Sequence, residues 1–277
     1  SPSHRTTTLG EGFRELGVGQ ETGKFKDGKT YNTSMITQEF GRSGNGVFVT
    51  GVFYKDSDRD DFYSIGEGQS GHKVAVGGKS TQSLDAGGYT IAAPAGFVEV
   101  TIDGSKVIKV DTSRGNAKVD VVNGSTVMSS ATMDLVSGVT KAGLLGAGNI
   151  GLSGTESGDK LTGNRGKNKM FGEDGKDKLK GGAGRDKLDG GKGKDKLVGG
   201  EGPDRFVFKE KTGKDIVLDF EVGTDKLDVG DFYRSASKAL DHAHDDGQGN
   251  AVFNFGHGDK IKLKGVSVDD LSVTDFV

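Results

Sequence analysis

The sequence predicts a mainly β protein: a parallel β-roll of nine-residue repeats, accompanied by a small β-sandwich and an N-terminal segment of another kind. Three observations carry this. One nonapeptide phase runs unbroken from Gly154 to Val207. Short runs of alternating apolar and polar residues, as in half-buried strands, lie on both sides of it. Finally, 277 residues hold 49 glycines, no cysteine, no tryptophan and only 32% hydrophobic residues, which suits several small units better than one large core. The expected divisions are 1–44, 45–124, 125–150, 151–208 and 209–277.

Residues 1–44 open with Ser1, Pro2, Ser3, His4 and Arg5, followed by the runs Phe13 to Gly19 and Ser34 to Gly41. This pattern resembles the C-terminal half of the secreted CAP superfamily in its bacterial, cysteine-free form, where a helix opening Ser-Pro-Gly-His-Arg precedes two strands. Ser3 stands where that motif has Gly. The resemblance implies a partial α+β CAP domain in which His4 is one of two cavity histidines that join two acidic residues around a divalent metal. Those partners would lie ahead of Ser1, so the cavity is incomplete in this chain. Without the resemblance, His4 reads as a side chain at a helix start.

In 45–124, Gly46 to Tyr54 and the runs Lys73 to Val76, Phe97 to Ile102, Lys106 to Val110 and Lys118 to Val122 read as strands of a small sandwich. Between the first two lies a twelve-residue loop from Asp56 to Glu67. Asp56, Asp58, Asp60, the carbonyl of Phe62, Ser64 and Glu67 supply oxygens at the spacing of an EF-hand calcium loop, although Asp61 stands at the sixth position where Gly is expected and no helices flank it. The unit resembles the transthyretin-like B-type modules of bacterial surface proteins, whose loops carry similar sites. An acidic surface turn is the other reading of these residues.

Residues 125–150 read as a linker leading into the roll. From Gly154 on, six units share a first Gly, an apolar eighth residue (Leu161, Met170, Leu179, Leu188, Leu197, Phe206) and a polar sixth residue (Asp159, Asn168, Asp177, Asp186, Asp195, Asp204). This is the G-G-x-G-x-D-x-U-x calcium repeat. Glycine allows tight turns whose carbonyls face an ion, here Gly172, Gly175, Gly181, Gly182, Gly184, Gly190, Gly191, Gly193, Gly199, Gly200 and Gly202. The sixth-position Asp adds a charged oxygen, and the eighth-position residue points inward from a short strand. Two units make one turn. Asp159, Asp177 and Asp195 therefore stack on one edge, with Asn168, Asp186 and Asp204 on the other. Adjacent turns offer the six or more oxygens that Ca²⁺ takes, in a geometry too loose for Mg²⁺. A flexible Gly-rich linker would have no reason to keep Leu and Asp in phase.

From Gly158 to Gly200 there are twelve Lys or Arg against seven Asp or Glu. These lysines read as solvated charges between ligand carboxylates, with a nucleic-acid or anionic-surface patch as the other reading, and their presence places the expected calcium affinity on the order of 10⁻⁴ to 10⁻³ M. The net charge of −3 favours neither nucleic acid nor membrane as a partner.

Residues 209–277 alternate as strands should and would cap the open end of the roll. Repeats and cap together, from Ala147 to Val277, resemble the RTX family of calcium-dependent exoproteins. The resemblance implies a Gram-negative extracellular protein, with an uncleaved C-terminal signal read by a type I exporter and repeats that fold outside the cell. No stretch is apolar and long enough to span a bilayer. Neither H-E-x-x-H nor G-x-S-x-G occurs, and His242 and His244 read as part of a solvated loop, with a metal site beside Asp241, Asp245 and Asp246 as the other reading. No catalysis is expected from this chain. The expected function is a secreted calcium-binding portion of an RTX/CAP exoprotein; a calcium-dependent adhesin, or the tail of a hydrolase whose catalytic domain lies elsewhere, are the alternatives.

Overall fold

Apolar side chains one double unit apart stack in register. Leu161 lies opposite Leu179 and Leu179 opposite Leu197 in one sheet, while Met170, Leu188 and Phe206 do the same in a second. All six are at most 1% exposed. Each strand is only a few residues long, so a single turn buries little; stability comes from the neighbour above and below.

The computed structural model describes residues 15–26, 30–41, 46–59, 63–64 and 66–277, with the backbone alone for the first two segments. Glu15–Lys26 and Thr30–Gly41 form an antiparallel hairpin. His4 lies outside the described residues, as do Asp60 and Phe62 of the acidic loop. From residue 46 the chain is mostly β, with short helical turns near its end, and no helix among the described residues is long and apolar enough to cross a membrane.

The described residues form two compact units, the first within 1–104 and 111–124, the second 105–110 with 125–277. In the first, Val47–Tyr54 pairs antiparallel with Gly88–Ala93 and parallel with Ala117–Val122. Lys73–Val76 lies between Lys79–Gln82 and Phe97–Ile102, antiparallel to both. Alternation buries Val49, Phe53, Val74, Val100, Ile102, Val119 and Val121, and Phe53 stacks flat on His72 with ring centroids 4.5 Å apart.

The second unit is the roll. Its sheet I runs through Thr126–Ser129, Lys141–Leu144, Lys160–Thr162, Lys178–Ala183, Lys196–Glu201, Lys214–Val217 and Asp259–Leu263, all parallel. Sheet II runs through Met133–Ser137, Gly151–Ser153, Lys169–Phe171, Lys187–Asp189, Arg205–Val207 and Lys226–Asp228, again parallel. Antiparallel strands Ala251–Gly256 and Ala243–Asp245 finish sheet I, so that its last parallel strand is not left as an open edge. A short helix, Ala236–Asp241, is N-capped by the Ser235 side chain.

Two expectations are corrected. Residues 125–150 are not a linker: Val127, Ala142 and Leu161 stand in register as successive inward rungs of sheet I. Lys106 to Val110 is a strand as expected, but its pairing is not confined to the sandwich, since Val107 to Val110 pair with Met133–Ser137 of sheet II. The physical reason is common to both. The Gly and Asp signature marks the turns that bind an ion, whereas the inward apolar ladder that makes the roll continues through turns of other composition.

Candidate calcium columns

The turn geometry follows from the glycines. Gly193 has φ +155°, and a Cβ there would fall on the carbonyl oxygen of Gly175 in the turn below. The first glycine of each unit has another task. A Cβ on Gly172, Gly181, Gly190 or Gly199 would come within 2.3 to 2.6 Å of Oδ2 of Asp177, Asp186, Asp195 or Asp204 respectively. At Gly172 and Gly181 the same Cβ would also crowd the carbonyl oxygens of Gly190 and Gly199. Glycine thus keeps open a small space walled by a carboxylate oxygen and main-chain carbonyls.

Within each column the carboxylates are fixed by backbone. The N–H of Asp159 donates to Oδ1 of Asp177 (2.7 Å), that of Asp177 to Asp195 (2.8 Å), that of Asn168 to Asp186 (2.8 Å), and that of Asp186 to Asp204 (2.8 Å). The second oxygen of Asp177, Asp186, Asp195 and Asp204, and Oδ1 of Asp159, are buried without any hydrogen-bond partner. Those five residues are 1 to 2% exposed. A buried carboxylate with a bare oxygen is costly unless a cation or a proton neutralises it. The electrostatics agree: burial pushes Asp177 and Asp204 up to about 7 and Asp186 and Asp195 up to about 6, and neighbouring carboxylates push Asp177, Asp195 and Asp204 the same way. Hard oxygen donors, net negative charge and a cradle that a Cβ would fill fit Ca²⁺.

Asn168 occupies the same column position with a different outcome. Its Oδ1 accepts from the N–H of Asn164 (2.8 Å), and its Nδ2 donates to the Ile150 carbonyl (3.1 Å) and to Oδ1 of Asn164 (3.0 Å). Asn164 in turn donates to the carbonyls of Leu145 and Gly148. An amide with a donor and an acceptor completes this turn through protein groups.

The columns also run further than the repeats. Asp195 N–H donates to Asp215 and Asp204 N–H to Asp225, and beyond them Asp259 receives Lys211 and Gly213 while Asp275 receives Gly223. Here the remaining oxygens are satisfied, by the Thr212 hydroxyl on Asp215, by the Glu221 N–H on Asp225 and by Ser272 on Asp275. Sequence reasoning missed these four. For Asp215 and Asp225 the signal was present as Gly213-Lys-Asp215-Ile-Val217 and Gly223-Thr-Asp225-Lys-Leu227, which repeat the second half of the nonapeptide; Asp259 and Asp275 lie in no such motif.

In the first unit, oxygens of Asp56, Asp58 and Glu67 lie within 4.8 Å of one another. The buried Glu67 accepts from the amides of Ser57 (2.6 Å) and Ser64 (2.9 Å), and Asp56 from that of Arg59 (2.8 Å). Nδ1 of His242 instead donates to the Lys238 carbonyl (2.8 Å) and the ring packs against Tyr233, so it does not join His244 in a metal-ligating group.

Together these features define a calcium-binding parallel β-roll. Residues 153–186 and 171–206 match the RTX calcium-binding nonapeptide repeat (4 copies), and these repeats bind calcium. No curated protein matches the chain. Similar solved structures include the AlgE6R2 subunit of the Azotobacter vinelandii mannuronan C5-epimerase, at 27% identity over 48% of this chain and 94% of that one (TM-score 0.37). The extracellular lipase LipA of Serratia marcescens matches at 20% identity over 63% of this chain and 29% of the lipase (TM-score 0.39).

Proposed function

We propose that this chain is the calcium-folded, export-competent portion of a secreted protein, carrying no catalytic centre of its own. The observation that supports it best is the set of five buried carboxylates, each with one bare oxygen. Without an ion their mutual repulsion and lost hydration oppose folding; with calcium the same groups become the strongest contacts in the roll, and an ion that binds only the folded chain stabilises it by mass action. Low calcium inside the cell would keep the repeats unfolded for a type I exporter, and millimolar calcium outside would fold them. In this reading Leu271 to Val277 belongs to the uncleaved export signal. The loop around Asp56, Asp58 and Glu67 is a second, independent calcium site in the sandwich, with Asp60, Phe62 and Ser64 as further ligands. The hairpin Glu15–Lys26 and Thr30–Gly41 supports a CAP-type segment, whose motif places two strands after the helix that would carry His4.

The test is a circular-dichroism titration of the chain from chelator to 10 mM calcium, on the scale expected for extracellular sites. β-structure of the roll should appear with calcium and fail to appear with equal magnesium. A spectrum unchanged across the titration would refute the reading. Removal of Leu271 to Val277 should retain the parent protein in cells that carry a type I exporter, and normal secretion would refute the export assignment.

A further inference from the structure

The lysines of the repeats, read from sequence as dispersed solvated charges, are sorted by the fold. The seventh residue of alternate units falls on the outer face of sheet I, and register places Lys141 beside Lys160, Lys160 beside Lys178, and Lys178 beside Lys196. All four are exposed, as is Lys180 on the same face. Neighbouring strands lie about 4.8 Å apart, so the row carries one ammonium per strand spacing over about 14 Å. Beside the row the outward positions are Gly143, Thr162 and Val198, which bring no negative charge; the one acidic residue on these four strands is Glu201, exposed at the end of Lys196–Glu201. None of the five lysines forms an ion pair among the described residues.

Sheet II carries the corresponding seventh-position row, with Lys169 beside Lys187, Lys187 beside Arg205 and Arg205 beside Lys226, but acidic groups enter this face. Its outward Arg205 pairs with Asp228, and Asp189 pairs with Lys209, each at 2.6 Å. The two faces differ at the ninth position of the units, where Thr162, Lys180 and Val198 face out of sheet I and Phe171, Asp189 and Val207 out of sheet II.

We propose that the outer face of sheet I binds a linear acidic polysaccharide laid across the strands. A row of like charges is tolerated by a protein but is unfavourable in itself, and a polyanion whose charges recur at a similar spacing relieves it along its whole length. Lysine supplies compact, strongly hydrated point charges, suited to the carboxylate or sulfate groups of a hydrated sugar chain. A single-stranded nucleic acid is the poorer fit, because its binding relies on aromatic platforms for the bases and this face has none. A bilayer is poorer still, because none of the exposed large apolar residues of the protein (Leu84, Phe97, Val136, Val222, Val273, Val277) lies on these strands. The proposal rests on the calcium reading in one respect: the row exists only when the interior is folded, so calcium governs the binding without touching the polysaccharide.

The full chain in 5 mM calcium, on the extracellular scale, is titrated with chondroitin sulfate, with a single-stranded oligonucleotide and with phosphatidylserine vesicles, while circular dichroism reports folding in parallel. Two variants are compared: Lys160→Thr/Lys178→Thr/Lys196→Thr on sheet I, and Lys169→Thr/Lys187→Thr on sheet II. Chondroitin sulfate should bind the parent, the sheet I variant should bind about tenfold or more weakly, and the sheet II variant should stay within about twofold. Chelator should abolish binding together with the β-spectrum. Equal losses from both faces, tighter binding of the oligonucleotide or the vesicles, or no binding of the polysaccharide by a folded chain would each overturn the proposal. Polysaccharide binding by a chain whose spectrum ignores calcium would refute the calcium reading and leave the lysine row standing.

Discussion

The amide of Asp177 donates to Oδ1 of Asp195 at 2.8 Å, and the other oxygen of Asp195 has no partner at all. The first half of this arrangement fixes the carboxylate; the second leaves its charge unanswered. Because Asp159, Asp186 and Asp204 repeat it in their own fashion, the roll is geometrically complete and electrostatically incomplete, which is why its stability must depend on what the solution supplies.

Protons should partly substitute for calcium. Burial raises Asp177 and Asp204 to about 7 and Asp186 and Asp195 to about 6, against about 3.9 for an unfolded Asp. A carboxyl with a raised folded pKa binds its proton more tightly in the folded chain, so its stabilising contribution is full below about pH 4 and is lost as pH climbs through 6 to 7. Calcium-stripped protein should therefore show more β-structure near pH 4.5 than at pH 7.5, and the calcium midpoint should move to lower concentration over the same rise, with protons released on binding. A midpoint independent of pH would contradict this account.

Asn168→Asp should convert a self-sufficient turn into a calcium-dependent one. The substitution replaces Nδ2, which holds the Ile150 carbonyl and Asn164, by a second acidic oxygen facing the same acceptors. In chelator the variant should lose about 1 to 3 kcal/mol relative to the parent wherever residual structure is measurable. In saturating calcium it should recover, and calorimetry should count additional bound ion. Parent-like behaviour in both conditions would show that the amide network carries no such load.

The glycines divide into two classes that substitution by Ala can separate. At Gly193 a Cβ would strike the Gly175 carbonyl, so the turns must move apart and the roll should fail to fold even in calcium. Gly223 has φ +81° with open space around its Cβ position. Gly223→Ala should cost only the left-handed backbone strain, about 1 to 2 kcal/mol. Thermal melts in calcium compare the two directly.

Glu67→Ala removes the acceptor for the amides of Ser57 and Ser64 and should destabilise the sandwich by about 1 to 3 kcal/mol in any buffer. If the loop also holds calcium, the loss should be larger in calcium than in chelator, as read by amide exchange in Val47–Tyr54. Combined with Asp186→Ala in the roll, the two effects should add. Equal losses with and without the ion would leave Glu67 as the clasp of an acidic turn.

The β-roll was legible because Leu and Asp hold one phase across six units, and no other fold requires both at once. Alternation made Val47–Tyr54, Lys73–Val76, Phe97–Ile102, Lys106–Asp111 and Ala117–Val122 legible as strands, but not Lys79–Gln82 or Gly88–Ala93, nor the pairing of Lys106–Asp111 with sheet II, which no local pattern announces. Val127 and Ala142 escaped because an inward rung needs only one apolar residue per turn, which carries no signature without its glycines. Asp275 escaped for a different reason: it reaches its column from a turn of 3-10 helix, through contacts remote in sequence with Gly223. That Asn168 closes its turn with an amide depends on Asn164 and Ile150 converging on it, which composition does not reveal.

The alternation of units between sheets I and II also constrains how such a chain can change length. Gaining or losing a single nonapeptide would keep the repeat grammar intact yet send every later residue to the opposite sheet, delivering Asp215 and Asp225 to each other's edge and exchanging the ninth-position residues that flank the lysine row. Heredity can therefore lengthen or shorten this molecule only in double steps, each of which adds or removes one turn on both edges and one charge from the row. The protein's size is quantised by the geometry of its interior, and so is the reach of its surface.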